Sequence, residues 1–241
     1  MATTVLIIGE SGTGKSRSIV NLPPQSTAVI NVIGKALPFA GWKAKFTPLN
    51  SADGTGNMFR SDESEAIIKT IKYIDEKRKD VKVLVIDDFQ YVLANEFMRR
   101  SSEKTYQKFT DIANHAWEVI WQLTLCREDL VCFVLSHAET DAEGKTKMKT
   151  IGKMLDEKIT PEGMFTVVMN TAVEHTDDKN VYWFETQNNG HSTSKSPEGM
   201  FETFRIPNDL RAVYTAIKKY EGGEVSNVPN APKVEAIKKV A

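Results

Sequence analysis

The sequence predicts an α/β domain in which helices flank a mostly parallel sheet, with an antiparallel extension toward the C-terminus. Three observations carry that expectation. An aliphatic run opens into a glycine-rich turn at "VLIIGESGTGKS" (residues 5–16), a second run "VKVLVIDDFQ" ends in paired aspartates, and short apolar runs alternate early in the chain with amphipathic stretches. Continuous Val/Ile/Leu runs are what strands buried on both faces look like, and their alternation with helices marks βαβ units.

In chain order, strands are expected at Val5 to Ile8, Thr27 to Val32, Val83 to Ile86, Leu130 to Leu135, Phe165 to Met169 and Val181 to Thr186, the last two forming the antiparallel extension. "SEAIIKTIKYIDEKRK" (Ser64 to Lys79) places Ile67, Ile68, Ile71 and Ile74 at one-face helical spacing. "YQKFTDIANHAWEVIWQLTLCRED" puts Phe109, Ile112, Ala116, Val119, Ile120 and Leu123 on a second stripe, and residues 207–220 read as a last helix started by Pro207 and Asn208. Residues 1–220 are expected to form one domain. Residues 221–241, poor in aromatics and rich in turn formers, read as a flexible tail.

The totals set limits. A chain of 241 residues with 41% hydrophobic residues buries a sizeable core. A formal net charge of -1 excludes a global basic footprint, so contact with nucleic acid requires a local patch. "MATTVLIIGE" has no basic n-region and too short an apolar run for a signal or a span, so a cytoplasmic protein without membrane attachment is expected. Cys126 and Cys132 sit in apolar surroundings and read as buried thiols.

The chemistry begins after Ile8. Gly9, Gly12 and Gly14 offer nothing to pack, so this segment is built for its backbone, and it fits the pattern G-x-x-x-x-G-K-[ST]. Glycine lets successive N–H groups turn inward as an anion-binding nest. Gly9, Glu10, Ser11, Gly12, Thr13, Gly14, Lys15 and Ser16 are therefore expected to cradle the phosphates of a nucleoside triphosphate. Lys15 would reach the β- and γ-phosphates, Ser16 would ligate Mg²⁺, and a helix entered directly from the loop would add its positive dipole end.

Asp87 and Asp88 end the second aliphatic strand at the sheet edge where open α/β folds bind ligands. Asp87 is expected to hold Mg²⁺ through its water shell, and Asp88 to orient the attacking water, with Glu96 as the second candidate for the base. "LVCFVLSHAET" ends a further strand in Ser136 and His137, placing a polar sensor of the terminal phosphate at the same edge. The loop that follows interleaves Lys145, Lys147, Lys149 and Lys153 with Thr146, Thr150 and two glycines, a composition suited to phosphates along a single strand. Glu139, Asp141 and Glu143 precede those lysines, and a solvated polar loop is the competing reading.

The order of P-loop, acidic strand, sensor strand and basic loop resembles the RecA-type recombinase core. Within that group the chain is most similar to phage-encoded Sak-type ATPases of the single-strand annealing systems. "INVIGKALPF", "VIDDFQYVLANEFM", "FVLSHAETD", "KTIGKMLDEKITPEGMF" and "TSKSPEGMF" carry the closer match, over about residues 4–220. The resemblance implies a RecA-like fold, dependence on ATP and Mg²⁺, binding to single-stranded DNA, and homo-oligomeric rings or filaments. It places Lys145 to Lys153 in a DNA-facing loop, His137 at the switch between nucleotide and DNA, and Lys195 as a cation offered to a neighbouring protomer's phosphate. Two departures stand out. "NVIGKALPFAGWKAKF" offers no glutamate where recombinases carry their catalytic one, so slow, DNA-stimulated hydrolysis is expected. The P-loop begins at residue 9, which leaves no N-terminal polymerisation segment, so assembly is expected to use another surface.

Two other functions compete: a nucleotide kinase-like phosphotransferase, and a non-catalytic helicase loader or recombination mediator. A kinase lid needs several arginines over the phosphates, and only Arg99 with Arg100 form a pair. Lys233, Lys238 and Lys239 of the tail would serve a single-strand-binding protein as partner.

Overall fold

A computed structural model describes residues 1–152, 155 and 159–222. Its strands are β1 (Thr3–Gly9), β2 (Thr27–Asn31), β3 (Met58–Phe59), β4 (Val83–Asp87), β5 (Val131–Thr140), β6 (Thr146–Met148), β7 (Val167–His175), β8 (Asn180–Glu185) and β9 (Arg205–Pro207). They form one sheet in the order β3-β2-β4-β5-β1-β7-β8-β9, with β6 paired to β5. The pairs from β3 through to β7 are parallel, and β7–β8, β8–β9 and β5–β6 are antiparallel. This is the expected mostly parallel α/β sheet, with antiparallel strands toward the C-terminus.

Alternation along each buried strand supplies both faces. From β1, Leu6 and Ile8 enter a core shared with α2 (Ser64–Lys77), α3 (Gln90–Arg99) and α4 (Gln107–Thr124). Val5 and Ile7 enter the opposite core, closed by α5 (Leu210–Tyr220) and flanked by the short α1 (Trp42–Lys45). On α2, Ile67, Ile71 and Ile74 are buried, and on α4 so are Ile112, Ala116, Val119, Ile120 and Leu123, as their spacing requires. Each of these Ile, Val and Leu side chains contributes roughly 1.5–3 kcal/mol when fully buried. Cys126 and Cys132 are buried free thiols. Among the described residues no helix is long and apolar enough to cross a membrane.

Four local expectations are corrected. The helix after the P-loop is only a six-residue 3₁₀ segment, Ser16–Asn21. Pro23 forces Leu22 into extended backbone (φ -66°, ψ 138°), and the pair Pro23-Pro24 cannot continue a helix. The anion site therefore rests on the loop amides and Lys15, without a long helix dipole. β7 runs parallel to β1, so the antiparallel extension starts one strand later, at β8, and uses β9. β5 does not stop at Leu135: it continues through His137 to Thr140 and turns back as β6, so the basic "loop" begins as a hairpin. The last helix starts at Leu210, where Asp209 caps it by accepting the Arg211 N–H, because Pro207 is spent on β9. Lys153 and the tail from residue 223 lie outside the described residues.

Candidate functional site

Parallel register brings the carboxyl ends of β2, β4, β5, β1 and β7 to one edge. Asn31 pairs with Asp87, Gly9 with His137, and Ile8 with both Ser136 and Asn170. The loop from Gly9 to Ser16 crosses that edge. Gly12 and Gly14 adopt φ of 80° and 93°, which L side chains rarely take. Gly9 is needed for a different reason: a Cβ there would overlap the Thr171 hydroxyl of β7, which donates to Thr13 Oγ1 at 2.7 Å. Thr13 in turn donates to the Glu10 carbonyl at 2.8 Å, and Asn208 donates to the Thr13 carbonyl at 3.2 Å. Gly9→Ala is expected to push the loop off β7 and lower nucleotide affinity at least about tenfold. Adding Thr171→Ala should recover part of the loss in a fluorescent-nucleotide titration, and equal affinities for all three proteins would remove Gly9 from that role.

Lys15 is buried, and its ammonium donates to the carbonyls of Gly9 and Glu10 at 2.7 Å each. Burial pulls its pKa down to about 8, with the charge of Asp88 opposing. The Ser16 hydroxyl donates to Asp87 Oδ1 at 2.8 Å, and Asp87 Oδ2 is buried with no partner among the described residues. Burial first, and the neighbouring Asp88 second, push the Asp87 pKa up to about 6. A hydroxyl and a carboxylate with a spare buried oxygen are hard donors suited to Mg²⁺. Ser16 and Asp87 therefore fit the ion the motif calls for.

Asp88 is also buried, and at φ 63° it takes a conformation unusual for a side-chain-bearing residue, which turns its carboxylate toward Lys35 and His137. Lys35 Nζ ion-pairs with Oδ2, and His137 Nε2 lies 3.6 Å from Oδ1. Burial, followed by repulsion from Lys15, lowers the His137 pKa, so the ring is neutral at pH 7. Its other face packs edge-on against Tyr91 at 6.0 Å. His137 thus stands beside the Asp88–Lys35 pair, while its carbonyl accepts the N–H of Lys149 at 2.8 Å. Ser136 is buried too, its hydroxyl without a partner among the described residues.

The hairpin pairs Glu139 with Lys147 and Thr140 with Thr146. Lys145 and Lys149 are exposed, and Lys147 lies 3.8 Å from Glu139. Thr146, on the opposite phase of the strand, lines a polar cleft of about 470 Å³ together with Gly9 to Thr13, Asn170 and Thr171. Glu96 does not join the cluster: on α3 it accepts from Arg100 at 3.1 Å and lies 2.9 Å from His115 Nδ1. Lys195 pairs its backbone with Val168 of β7 and leaves its side chain exposed.

Sequence reasoning missed Lys35, Thr171 and Asn208. Lys35 was visible in "INVIGK", and the adjacency of β2 and β4 was the signal that would have connected it to Asp88.

Residues 1–197 match the family model described as "AAA domain". Among solved structures, the KaiC-like protein PH0186 from the hyperthermophilic archaeon Pyrococcus horikoshii OT3 is similar, with a TM-score of 0.44 and 13% sequence identity over 81% of this chain and 83% of that one. Curated proteins gave no significant sequence match.

Proposed function

The chain belongs to the AAA domain family, and from its P-loop ATPase site we propose an ATP- and Mg²⁺-dependent enzyme that binds single-stranded DNA and promotes strand annealing or recombination, like the phage Sak-type ATPases its motifs resemble. The observation that carries the reading is the continuity of β5. One strand passes from Ser136 and His137, beside Asp88, into the hairpin that bears Lys145, Lys147 and Lys149. A shift of His137 on nucleotide binding would reach the lysines through the His137 carbonyl and the Lys149 N–H.

Each residue has a part in this reading. The loop amides and Lys15 bind and orient the phosphates, and Ser16 with Asp87 would hold Mg²⁺. When bound, that ion neutralises charge on the phosphates. Asp88 is the candidate to orient the attacking water, and its pairing with Lys35 supports slow turnover. Glu96 is committed to Arg100 and His115. Exposed Lys195 remains available to a neighbouring protomer in a ring or filament. A single-strand-binding protein as partner and the cytoplasm of a phage host as location complete the proposal. The non-catalytic mediator has one observation in its favour, the neutralisation of Asp88 by Lys35.

The test is steady-state ATP hydrolysis with and without a single-stranded oligonucleotide at low salt, for the wild type and for Lys147→Ala/Lys149→Ala. DNA is expected to stimulate the wild type, and the double variant is expected to lose about one to two units of salt slope in DNA binding together with most of the stimulation. Hydrolysis indifferent to DNA would reject the recombination reading. Phosphate transfer to a nucleoside monophosphate would support the kinase, and ATP binding without turnover would support the mediator.

A further inference from the structure

The two aspartates and two lysines at the sheet edge differ in freedom. Lys15 is locked onto the Gly9 and Glu10 carbonyls, Asp87 onto Ser16. Asp88 is nearly sealed, its side chain 2% exposed, whereas the Lys35 side chain that neutralises it is 43% exposed. A flexible four-carbon stem thus brings a cation in from solvent to a buried carboxylate.

Its base, by contrast, is rigid. The Asn31 side chain donates to the Lys35 carbonyl at 2.7 Å and accepts the Gly34 N–H at 2.9 Å. Gly34 sits at φ 68°, and a Cβ there would overlap the Arg60 side chain. This turn places Lys35 on the β2 side of Asp87 and Asp88, across β4 and β5 from the P-loop at the end of β1, since Asn31 is the register partner of Asp87. Burial works against the Lys35 ammonium, but its hydrogen bond and charge interaction with Asp88 outweigh that and raise its pKa, so it is charged at pH 7. The ends of β1, β2 and β4 therefore bring the cations Lys15 and Lys35 together with the anions Asp87 and Asp88 before any nucleotide enters.

A nucleoside triphosphate upsets that balance by adding negative charge beside a lysine with a mobile head group. We propose that Lys35 is a second phosphate-directed cation of this site: it holds Asp88 in the nucleotide-free protein and moves to the terminal phosphate when the triphosphate binds. This rests on the ATP-site reading and extends it, because it makes Lys35 the residue that tells a triphosphate from a diphosphate. It also ties the state of Asp88 to that recognition. A diphosphate, lacking the terminal group, leaves Lys35 on Asp88.

Equilibrium binding of a non-hydrolysable ATP analogue and of ADP, each with Mg²⁺, separates the possibilities. Lys35→Met is expected to weaken the triphosphate analogue about tenfold and ADP less than about twofold, the size of one lost charge-assisted contact. Lys35→Gln, which keeps a hydrogen bond to Asp88, should behave like Lys35→Met, and Lys35→Arg should restore the preference for the triphosphate. In the nucleotide-free protein, Lys35→Met should lower Tm, and adding Asp88→Asn should return most of it, because the double variant leaves no buried unpaired charge. Equal weakening of both nucleotides, or none, would overturn the assignment of Lys35 while leaving the ATP site standing. A wild-type protein that binds neither nucleotide would overturn the site reading itself, and Lys35 with it.

Discussion

Lys15→Ala is expected to lose nucleotide binding almost entirely and to lower ATP turnover by about 10²–10³-fold, the range seen when one preorganised group that stabilises developing negative charge is removed. The ammonium is held by two backbone carbonyls of its own loop at 2.7 Å each, so its position is fixed before the phosphates arrive. Burial disfavours its charge enough to bring its pKa down to about 8. A cation kept in an environment that penalises it is relieved by an incoming anion, and this difference favours phosphate binding. For a base with a depressed folded pKa, the stability contribution is present above the unfolded value of 10.5 and is lost as pH falls through about 8. Nucleotide binding should therefore stabilise the wild type more at pH 7 than at pH 9, and the variant at neither. Titration of a fluorescent ATP analogue, phosphate release and nucleotide-dependent Tm are the measurements. Wild-type affinity in the variant would remove Lys15 from the phosphate site.

Asp87→Asn should separate stability from function. The carboxylate is fully buried, one of its oxygens has no partner among the described residues, and its pKa is pushed up from 3.8 to about 6. An acid with a raised folded pKa contributes stability that is present below the unfolded pKa and is lost as pH rises through the folded one. Between about pH 4 and pH 7, Asp87 should cost the metal-free protein on the order of 1–3 kcal/mol, at about 1.4 kcal/mol per pKa unit. Asparagine does not titrate, so denaturant unfolding at pH 4, 6 and 8 should show the wild type falling below the variant as pH rises. Mg²⁺ with ATP should reverse the order by stabilising only the wild type, whereas turnover of the variant should drop by at least about a hundredfold. Parallel pH profiles for the two proteins would mean that Asp87 is not ionised against its surroundings.

Much of this site was legible because its chemistry is local. The glycines of the P-loop, Lys15 and Ser16 lie within eight residues, and the aliphatic run into Asp87 and Asp88 marks a buried strand by composition alone. The interior faces of α2 and α4 followed from the 3.6-residue period. Other features were written locally but outweighed by neighbours. Pro23-Pro24 stood in plain view, yet the shortening of the helix to Ser16–Asn21 depends on how far back a proline pair reaches. The continuation of β5 through His137 was hidden because polar residues end most buried strands, and here β6 supplies the hydrogen bonds that let the strand go on.

The sequence by itself determined the P-loop motif, the parallel α/β core and which residues are candidates to meet phosphates, since each is written in near neighbours along the chain. Only the tertiary structure decided which residues meet: Lys35 with Asp88, 53 residues apart, Thr171 against Gly9, and Glu96 drawn away to Arg100 and His115. Those meetings are set by strand order and parallel register, which follow from how whole strands and helices bury their faces together, and a pattern confined to one segment does not specify them.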